Sequence, residues 1–406
     1  MFSIGTRRLI PCLALPALAL ASGVSVAGPK AYVGNFKDNT VSVIDTGSHK
    51  VIGTIPVAAG PHGMTITPDG RRVYVTGDES SSMNVIDTAT DKVARTVEVG
   101  KGPHGVALTP DAGLLLVAVN GEDQVAFVDT AKQAVIGKVS VPKPHTIAIR
   151  PDGRVAYVSS QEPEKYALAV VDIASRSVTR TIALDKPPRD VEIGFGGKAV
   201  YFTVAGMNAV QVLDPASNSI VASIPTGASP HYANLFAHTA LGMAVIQGPG
   251  EIMFFDPSSN TPARSIKVGK QPHWIAASSD GKTAFVTDEG SNDLSIIEVA
   301  TGKVDKIAVG NAPRKVAVQP APAGAKVSIT NFSFVPNVIE ITAGQAITWT
   351  NDDGAPHAIA YRDGSPGARS MMPGETFTRV FDRPGSYDYN CSFHSFMTGR
   401  VVVRPV

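Results

Sequence analysis

The sequence predicts an all-β protein: a seven-bladed β-propeller followed by a second β-domain without repeats. Three observations support this prediction, namely a repeat of 42 or 43 residues, turn signals between short β-rich runs, and an abrupt end of the repeat at Gln319. Four short strands per repeat of this length are typical of propeller blades. A helical solenoid is the alternative, but it would need helical periodicity and fewer Gly, Pro and β-branched residues.

Two markers define the repeat, and each occurs seven times. The first is a pair of hydrophobic residues followed by an acid, at Asp45, Asp87, Asp129, Asp172, Asp214, Asp256 and Glu298. The second is a proline followed by His62, His104, His145, His231 or His273 in five repeats and by Arg189 or Arg314 in the other two. Pro-Asp-Gly turns between the markers precede β-rich runs, as expected for short antiparallel strands.

The ends of the array predict a closed ring. One strand, Lys315 to Gln319, follows the last marker, whereas the array begins at Ala31 with part of a blade already under way. If the N-terminal strands complete the blade that begins at the other end, seven blades result and the sheet edges are protected. We therefore assign residues 28–319 to the propeller, 320–325 to a Pro/Ala linker and 326–406 to the second domain.

The repeated segment resembles the YVTN family of β-propellers. The likeness rests on Tyr32-Val33-Gly34-Asn35, on the Val-Ile-Asp-Thr runs and on the Pro-His-Gly and Pro-Asp-Gly elements. The resemblance implies the propeller fold. It implies no activity, because that family has no single one.

Residues 1–27 are predicted to be a secretory signal peptide. Arg7 and Arg8 precede an apolar run from Leu9 to Ala21, and a small-residue triplet ends at Ala27. An uncleaved membrane anchor is the alternative, but the run is too short to span a bilayer. We therefore expect a periplasmic or secreted protein without stable membrane insertion. The net charge of +1 and the lack of Lys/Arg runs predict no nucleic-acid partner.

Cys391 is the one cysteine that this cleavage would leave, because Cys12 lies within the signal. A lone thiol in an oxidising compartment is exposed to damage unless it is buried or bound to a metal. His394 and Met397 follow it closely, and His357 lies 34 residues upstream. Two imidazoles, a thiolate and a thioether match the His₂Cys copper site with a weak axial Met. Zinc could use the same set, although its sites rarely include Met.

These residues resemble the cupredoxin family, and the short ligand loop is most similar to that of the amicyanins. Trp349-Thr350-Asn351, Pro356-His357, Tyr387-Asp388-Tyr389 and Phe396-Met397 also correspond. The resemblance implies a Greek-key β-sandwich and one type 1 copper per chain, with the ligands His357, Cys391, His394 and Met397.

The sequence departs from the cupredoxin pattern beside two of these residues. Ala358 stands where the family often has Asn, and Phe393 and Ser395 replace prolines around His394. Because position 358 has no side-chain amide, the sequence does not predict which group donates a hydrogen bond to the sulfur. It therefore does not predict the reduction potential either.

The resemblance also implies a docking surface around the second histidine. The edge of His394 is expected to reach the surface within an apolar rim formed by Phe393, Phe396, Met397 and Pro356. Seven basic and seven acidic residues follow from Lys326 onward, so charge steering should be weak. We expect a transient redox protein to dock near Phe393, Phe396 and His394 through a small interface.

Three functions remain open at this point. The first is a non-enzymatic electron carrier whose propeller is a docking platform or scaffold. The second is a copper oxidoreductase with another metal site in the propeller channel, because the domain order is similar to that of nitrous oxide reductase. That enzyme's two-copper centre needs two cysteines, however, and this domain has one. The third is a copper-binding or copper-delivery protein.

The propeller histidines bear on this choice. They share one position in their repeats, which we place at the turn before a blade's first strand, and seven such turns could converge on the central channel. Arg189 and Arg314 take this position in two blades and would repel a metal cation. We therefore expect the imidazoles to form hydrogen bonds with neighbouring turns or to line a pocket for an anion or an acidic partner.

Overall fold

A computed structural model describes residues 29–235, 241–320, 324–343, 345–365, 367–381 and 383–404. The predicted signal peptide lies outside these ranges, as do residues 321–323 of the predicted linker. The described helices are single turns, and none is long and apolar enough to cross a membrane. The domain boundaries given above stay predictions.

Seven four-stranded antiparallel sheets follow one another along the chain and confirm the predicted propeller. Their strands are β1 (Lys30–Asn35), β2 (Thr40–Asp45), β3 (Lys50–Pro56), β4 (Pro61–Ile66), β5 (Arg72–Gly77), β6 (Ser82–Asp87), β7 (Lys92–Glu98), β8 (Pro103–Leu108), β9 (Leu114–Val119), β10 (Gln124–Asp129), β11 (Ala134–Ser140), β12 (Pro144–Ile149), β13 (Val155–Ser160), β14 (Ala167–Asp172), β15 (Ser177–Ala183), β16 (Pro188–Ile193), β17 (Val200–Val204), β18 (Ala209–Asp214), β19 (Ser219–Pro225), β20 (Pro230–Leu235), β21 (Gly242–Ile246), β22 (Glu251–Asp256), β23 (Thr261–Lys267), β24 (Pro272–Ala277), β25 (Thr283–Asp288), β26 (Asp293–Glu298), β27 (Val304–Ala308) and β28 (Pro313–Val318). Two single-turn 3-10 helices, Asn120–Glu122 and Phe195–Gly197, lie between strands.

The ring closes as the sequence predicts. Strand β28 pairs with β1 in the order β28-β1-β2-β3, so the seventh blade takes one strand from the end of the array and three from its start. The backbone N–H of Lys30 also donates to Gln319 Oε1 at 3.2 Å. Closure leaves no inner sheet edge exposed at the junction.

The repeated acid has a local structural role. It ends the third strand of its blade, and its side chain accepts hydrogen bonds from the next turn. Asp87 Oδ1 accepts from the backbone N–H groups of Ala89 and Thr90 at 3.0 and 2.9 Å. Such Asx turns favour a tight reversal into the outer strand.

The position of the repeated histidines differs from the prediction. Each is the second residue of an innermost strand and does not lie in the preceding turn, because the strand already begins at the proline. A bulge follows immediately, for example between Pro61 and Met64. The bulge allows pairing to start at the proline, two or three residues before the regular ladder.

The second domain is a sandwich of two four-stranded sheets, which confirms the predicted class. The strands are β29 (Ala325–Thr330), β30 (Ser333–Val335), β31 (Val338–Thr342), β32 (Gln345–Asn351), β33 (Ala360–Tyr361), β34 (Thr376–Phe381), β35 (Gly385–Asn390) and β36 (Thr398–Arg404). One sheet has the order β30-β29-β32-β34 and the other β31-β36-β35-β33. Apolar side chains from both sheets, including Trp349 and Tyr389, form one core that also contains Cys391 and Met397.

Candidate metal centre

Cys391 follows directly after β35, where the predicted strand was expected to deliver it. Its side chain is fully buried, and its backbone N–H donates to the carbonyl of Met397 at 3.1 Å. The N–H of Met397 in turn donates to the carbonyl of His394 at 2.9 Å. These two bonds close the loop between β35 and β36 and hold the thiol next to the His394 ring.

Two imidazole nitrogens face this sulfur. Sγ of Cys391 lies 3.6 Å from Nδ1 of His394 and 3.8 Å from Nδ1 of His357. The ligand atoms of all three side chains lie within 4.8 Å of one another. Within the described ranges, no other group of His, Cys, Asp or Glu has three such ligand atoms placed to hold one metal ion.

His357 is fixed by its backbone. It forms an isolated β-bridge with Met371, in which its N–H donates at 3.0 Å and its carbonyl accepts at 2.7 Å. The side chain of Asn351 shapes the loop before it by donating to the carbonyls of Ala355 and Met371 at 2.9 and 2.8 Å. The ring is fully buried as a result.

A carboxylate determines which nitrogen of this ring carries the proton. Nε2 of His357 lies 3.0 Å from Oδ2 of Asp353 and donates to it, which leaves the Nδ1 lone pair directed at the sulfur. Burial raises the pKa of Asp353. Hydrogen bonds from the N–H groups of Phe332 and Asn331 and from the His357 ring outweigh burial and lower this pKa below its ordinary value. The carboxylate is therefore charged when it holds the ring.

The sulfur also receives a hydrogen bond. The backbone N–H of Ala358 donates to Sγ at 3.3 Å, so the main chain supplies a donor at the position where the family often has Asn. A buried thiol with one N–H donor and two imidazole nitrogens suits a metal that prefers thiolate and nitrogen ligands. These residues fit a copper ion of the type that the sequence predicts.

Met397 lies on the same loop as Cys391 and His394 and is hydrogen-bonded to both through its backbone. It is 2% exposed and belongs to the core that surrounds Cys391. Its burial places it in the right part of the domain.

The surface beside the site differs in part from the predicted rim. Phe396 and Phe393 are 71% and 53% exposed, as expected for a docking surface. Met397 is buried and contributes nothing to it. Phe332, which the sequence did not indicate, is 43% exposed, and its ring centre lies 4.9 Å from that of His394. We call Phe332, Phe393 and Phe396 the phenylalanine patch.

The five propeller histidines converge on the channel. Ring centres of His62 and His104 lie 3.7 Å apart, and those of His104 and His145 lie 3.9 Å apart. Nδ1 of His104 donates to the carbonyl of His145 at 3.0 Å, and Nδ1 of His273 does the same to Arg314 at 2.9 Å. These two imidazoles therefore bond to neighbouring blades, with acceptors on strands and not on the expected turns, whereas Nδ1 of His62, His145 and His231 has no partner among the described residues. An anion-binding role stays a prediction.

Burial keeps these imidazoles neutral. It lowers the pKa of His62 and His104 well below the ordinary value, and lowers those of His145 and His231 to about 4 and about 3. The two arginines that replace the histidine in the other blades form contacts with other residues. Arg314 pairs with Glu289 at 3.2 Å, and Arg189 donates to Ser229 and Gln247.

Comparisons with known proteins agree with both domains. A family model described as YNCE-like beta-propeller matches residues 21–114. A chain of Kuenenia stuttgartiensis Hydrazine Synthase superposes with a TM-score of 0.61 at 19% identity, over 69% of this chain and 98% of that one. At this identity the likeness shows the propeller fold alone.

The second domain has relatives of higher identity. It is 42% identical over 95 residues to Amicyanin-alpha of Methylorubrum extorquens. The aligned segment covers 22% of this chain and 79% of the relative. Amicyanin of Paracoccus versutus is 33% identical over 106 residues, covering 25% of this chain and 80% of the relative. The family model for copper binding proteins of the plastocyanin/azurin family matches residues 322–404. Through its second domain, the chain therefore belongs to the plastocyanin/azurin family of copper-binding proteins.

Proposed function

We propose that this protein is an exported type 1 copper protein that transfers single electrons. The observation that carries the proposal is the buried thiol of Cys391 with imidazole nitrogens at 3.6 and 3.8 Å. A thiolate and two imidazoles form the trigonal ligand set of blue-copper electron-transfer sites. Similarity to the amicyanins and plastocyanins supports the same role.

We assign His357, Cys391 and His394 as the three strong ligands and Met397 as the weak axial one. Copper bound by them supplies one-electron redox chemistry, with one ion per chain. The bridge to Met371 and the packed sandwich hold the first imidazole in place, so little rearrangement should accompany a change of charge. The N–H of Ala358 stabilises negative charge on the sulfur.

The surroundings of the site suit a protein that exchanges electrons with a partner. Water is excluded from Cys391 and His357, which are fully buried, whereas His394 is partly exposed. The phenylalanine patch surrounds this exposed edge. A transient redox partner would dock on it through apolar contacts, since a small apolar interface can form and separate quickly.

We propose that the propeller is a scaffold or docking platform for this domain, and that the protein is periplasmic or secreted. Support for export comes from the signal-like residues 1–27 and from the lone cysteine of the mature chain. N-terminal sequencing of the protein recovered from cell fractions tests this. A protein that begins at Met1 and stays in the cytosolic fraction would contradict export.

Metal analysis combined with a visible spectrum tests the copper site. Wild-type protein loaded with Cu(II) should bind one copper and show an intense sulfur-to-copper charge-transfer band. The variant Cys391→Ala should lose the band, whereas Ser392→Ala, at the exposed neighbouring residue, should keep it. A band that survives in Cys391→Ala would refute the ligand assignment.

A further inference from the structure

The propeller channel contains a cavity whose lining does not follow the repeat. Its volume is about 240 Å³, and the innermost strands of six blades contribute to its wall. At the residue after the repeated His or Arg, three blades have Gly63, Gly105 and Thr146. The corresponding residues in two other blades are Asp190 and Lys315, which both line the cavity. The two remaining blades have Tyr232 and Trp274 at this position, so the seven blades differ from one another here and two of them bury a charged residue.

Lys315 is buried, and no carboxylate of the described residues forms an ion pair with its ammonium group. The residue is 6% exposed, and Nζ lies 3.1 Å from the ring centre of Trp274. Trp274 in turn stacks on Tyr232, with ring centres 3.4 Å apart. In the described part of the chain Lys315 forms no ion pair, so its N–H groups meet an aromatic face instead of an acceptor oxygen. Burial lowers the pKa of Lys315, and the carboxyls of Asp190 and Glu192 oppose that shift.

Within the described ranges, one carboxyl oxygen of Asp190 lacks a hydrogen-bond donor, just as Lys315 lacks an acceptor. Asp190 is 2% exposed, and its Oδ1 finds no hydrogen-bond partner among the described residues. Burial raises the pKa of the Asp190 carboxyl well above its ordinary value, and Lys315 opposes that shift, so a second cationic group beside Asp190 would favour its charged form. The nearby Glu192 differs, because Tyr232 donates to its Oε2 at 2.9 Å and the N–H of Ile193 donates to its Oε1 at 3.0 Å. The cavity therefore presents one unmet acceptor, on Asp190, and one group of unmet donors, on Lys315.

Buried polar groups of this kind are normally satisfied, because leaving them bare costs free energy. The cavity has room for several water molecules or for a small ligand. A cation alone would satisfy Asp190 and add charge beside Lys315. An anion alone would satisfy Lys315 and add charge beside the two carboxyls. A molecule with both charges satisfies both groups and leaves the net charge of the cavity unchanged.

We propose that the channel cavity binds a small zwitterionic amino acid, with its ammonium group on Asp190 and its carboxylate on Lys315. The ring of Trp274 supplies an apolar wall beside the carboxylate end. The volume of about 240 Å³ is sufficient for an amino acid with a small side chain. This site is separate from the copper ligands, and its occupancy can be measured without reference to them.

Calorimetric titration of the full chain with three probes tests the proposal. Glycine carries both charges, ethylamine lacks the carboxylate, and acetate lacks the ammonium group. Glycine should bind, and the other two should bind at least about tenfold more weakly, because each loses one charge-assisted hydrogen bond. Trp274 is one of two tryptophans, so a change in tryptophan fluorescence provides a second readout on the wild-type protein.

Variants locate the site. Lys315→Met and Asp190→Asn should each weaken glycine binding at least about tenfold, whereas Lys282→Met, at a surface lysine whose side chain is 82% exposed, should not. Circular dichroism verifies that each variant is folded, and the probe comparison on wild type needs no variant. Absence of glycine binding would overturn the proposal, since water alone would then fill the cavity. Equal binding of ethylamine or acetate would overturn it as well, because a site for a single charge would explain that result.

Discussion

Replacing Asp353 by Asn removes the carboxylate that orients the first imidazole. The carboxylate accepts three hydrogen bonds, from Nε2 of His357 at 3.0 Å and from the N–H groups of Asn331 and Phe332 at 2.6 and 2.8 Å. Asn has one acceptor oxygen, and its amide nitrogen would face an N–H donor. The variant therefore loses at least one of these bonds and the negative charge behind the ring.

The expected loss follows from these contacts. Removing a carboxylate that supports a metal-binding histidine typically weakens metal affinity by about 10- to 100-fold. That range corresponds to about 1.4–2.7 kcal/mol, close to the roughly 1.5–3 kcal/mol expected for one hydrogen bond to a charged group. The reduction potential should rise, because loss of a nearby negative charge disfavours the more highly charged oxidised state.

Competition with a chelator of known copper affinity measures the change in copper affinity, and redox titration measures the change in reduction potential. Asp352→Asn is the matched control, since it removes the same charge from an exposed residue whose Oδ2 accepts from Ser328 and does not contact His357. An equal change in both variants would indicate a general charge effect. Unchanged affinity in Asp353→Asn would refute the role given to this carboxylate.

Three further predictions concern other parts of the molecule. Met397→Gln should retain copper and lower its reduction potential in a redox titration, because an amide oxygen is a harder axial ligand than a thioether; complete loss of copper would show that Met397 has a different role. Phe396→Ser should leave the charge-transfer band unchanged and slow electron self-exchange, measured by NMR line broadening, by about tenfold if the phenylalanine patch forms the encounter surface. His231→Gln should reduce the acid sensitivity of propeller unfolding. Burial lowers the pKa of His231 to about 3, so the neutral imidazole favours the folded state above its ordinary pKa of about 6.5, and this contribution is lost as the pH falls towards 3. Thermal unfolding measured between pH 7 and pH 4 should show a smaller loss of stability in this variant than in wild type, and parallel curves would contradict the prediction.

Features with a local or periodic signature were predictable from the sequence. The blade markers recur at a constant interval, and the incomplete ends of the array indicated the closure that β28 and β1 form. The short spacing from Cys391 to His394 and Met397 likewise indicated one loop. In these cases a pattern within a few residues, or its repetition, determines the structure.

Features that depend on distant segments had no such signature. Phe332 reaches His394 from the turn between β29 and β30, far away in the sequence. Which of two consecutive acids would meet the His357 ring depends on the bend of the preceding loop, so Asp353 could not be chosen over Asp352. The N–H of Ala358 could not be identified either, because a backbone donor is independent of the side-chain type.

One feature of the sequence gains its meaning only from the structure. Aligning the repeats places Asp190 and Lys315 at a position where three other blades have Gly or Thr and two have Tyr or Trp. Departures of this kind indicate where a symmetric array has acquired an individual site. Their meaning required the structure, because only the ring brings blades that are distant in sequence around one cavity.

The closed seventh blade also affects how the chain folds. Its strands come from the two ends of the array, and the bond between Lys30 and Gln319 spans 289 positions. The ring cannot close until nearly the whole propeller is available, and contacts of such high sequence separation form slowly. Until then β1 has an unpaired edge, which makes the chain prone to aggregate. Substitutions at the β28–β1 junction should therefore reduce the yield of soluble protein more than they change the properties of the molecules that fold.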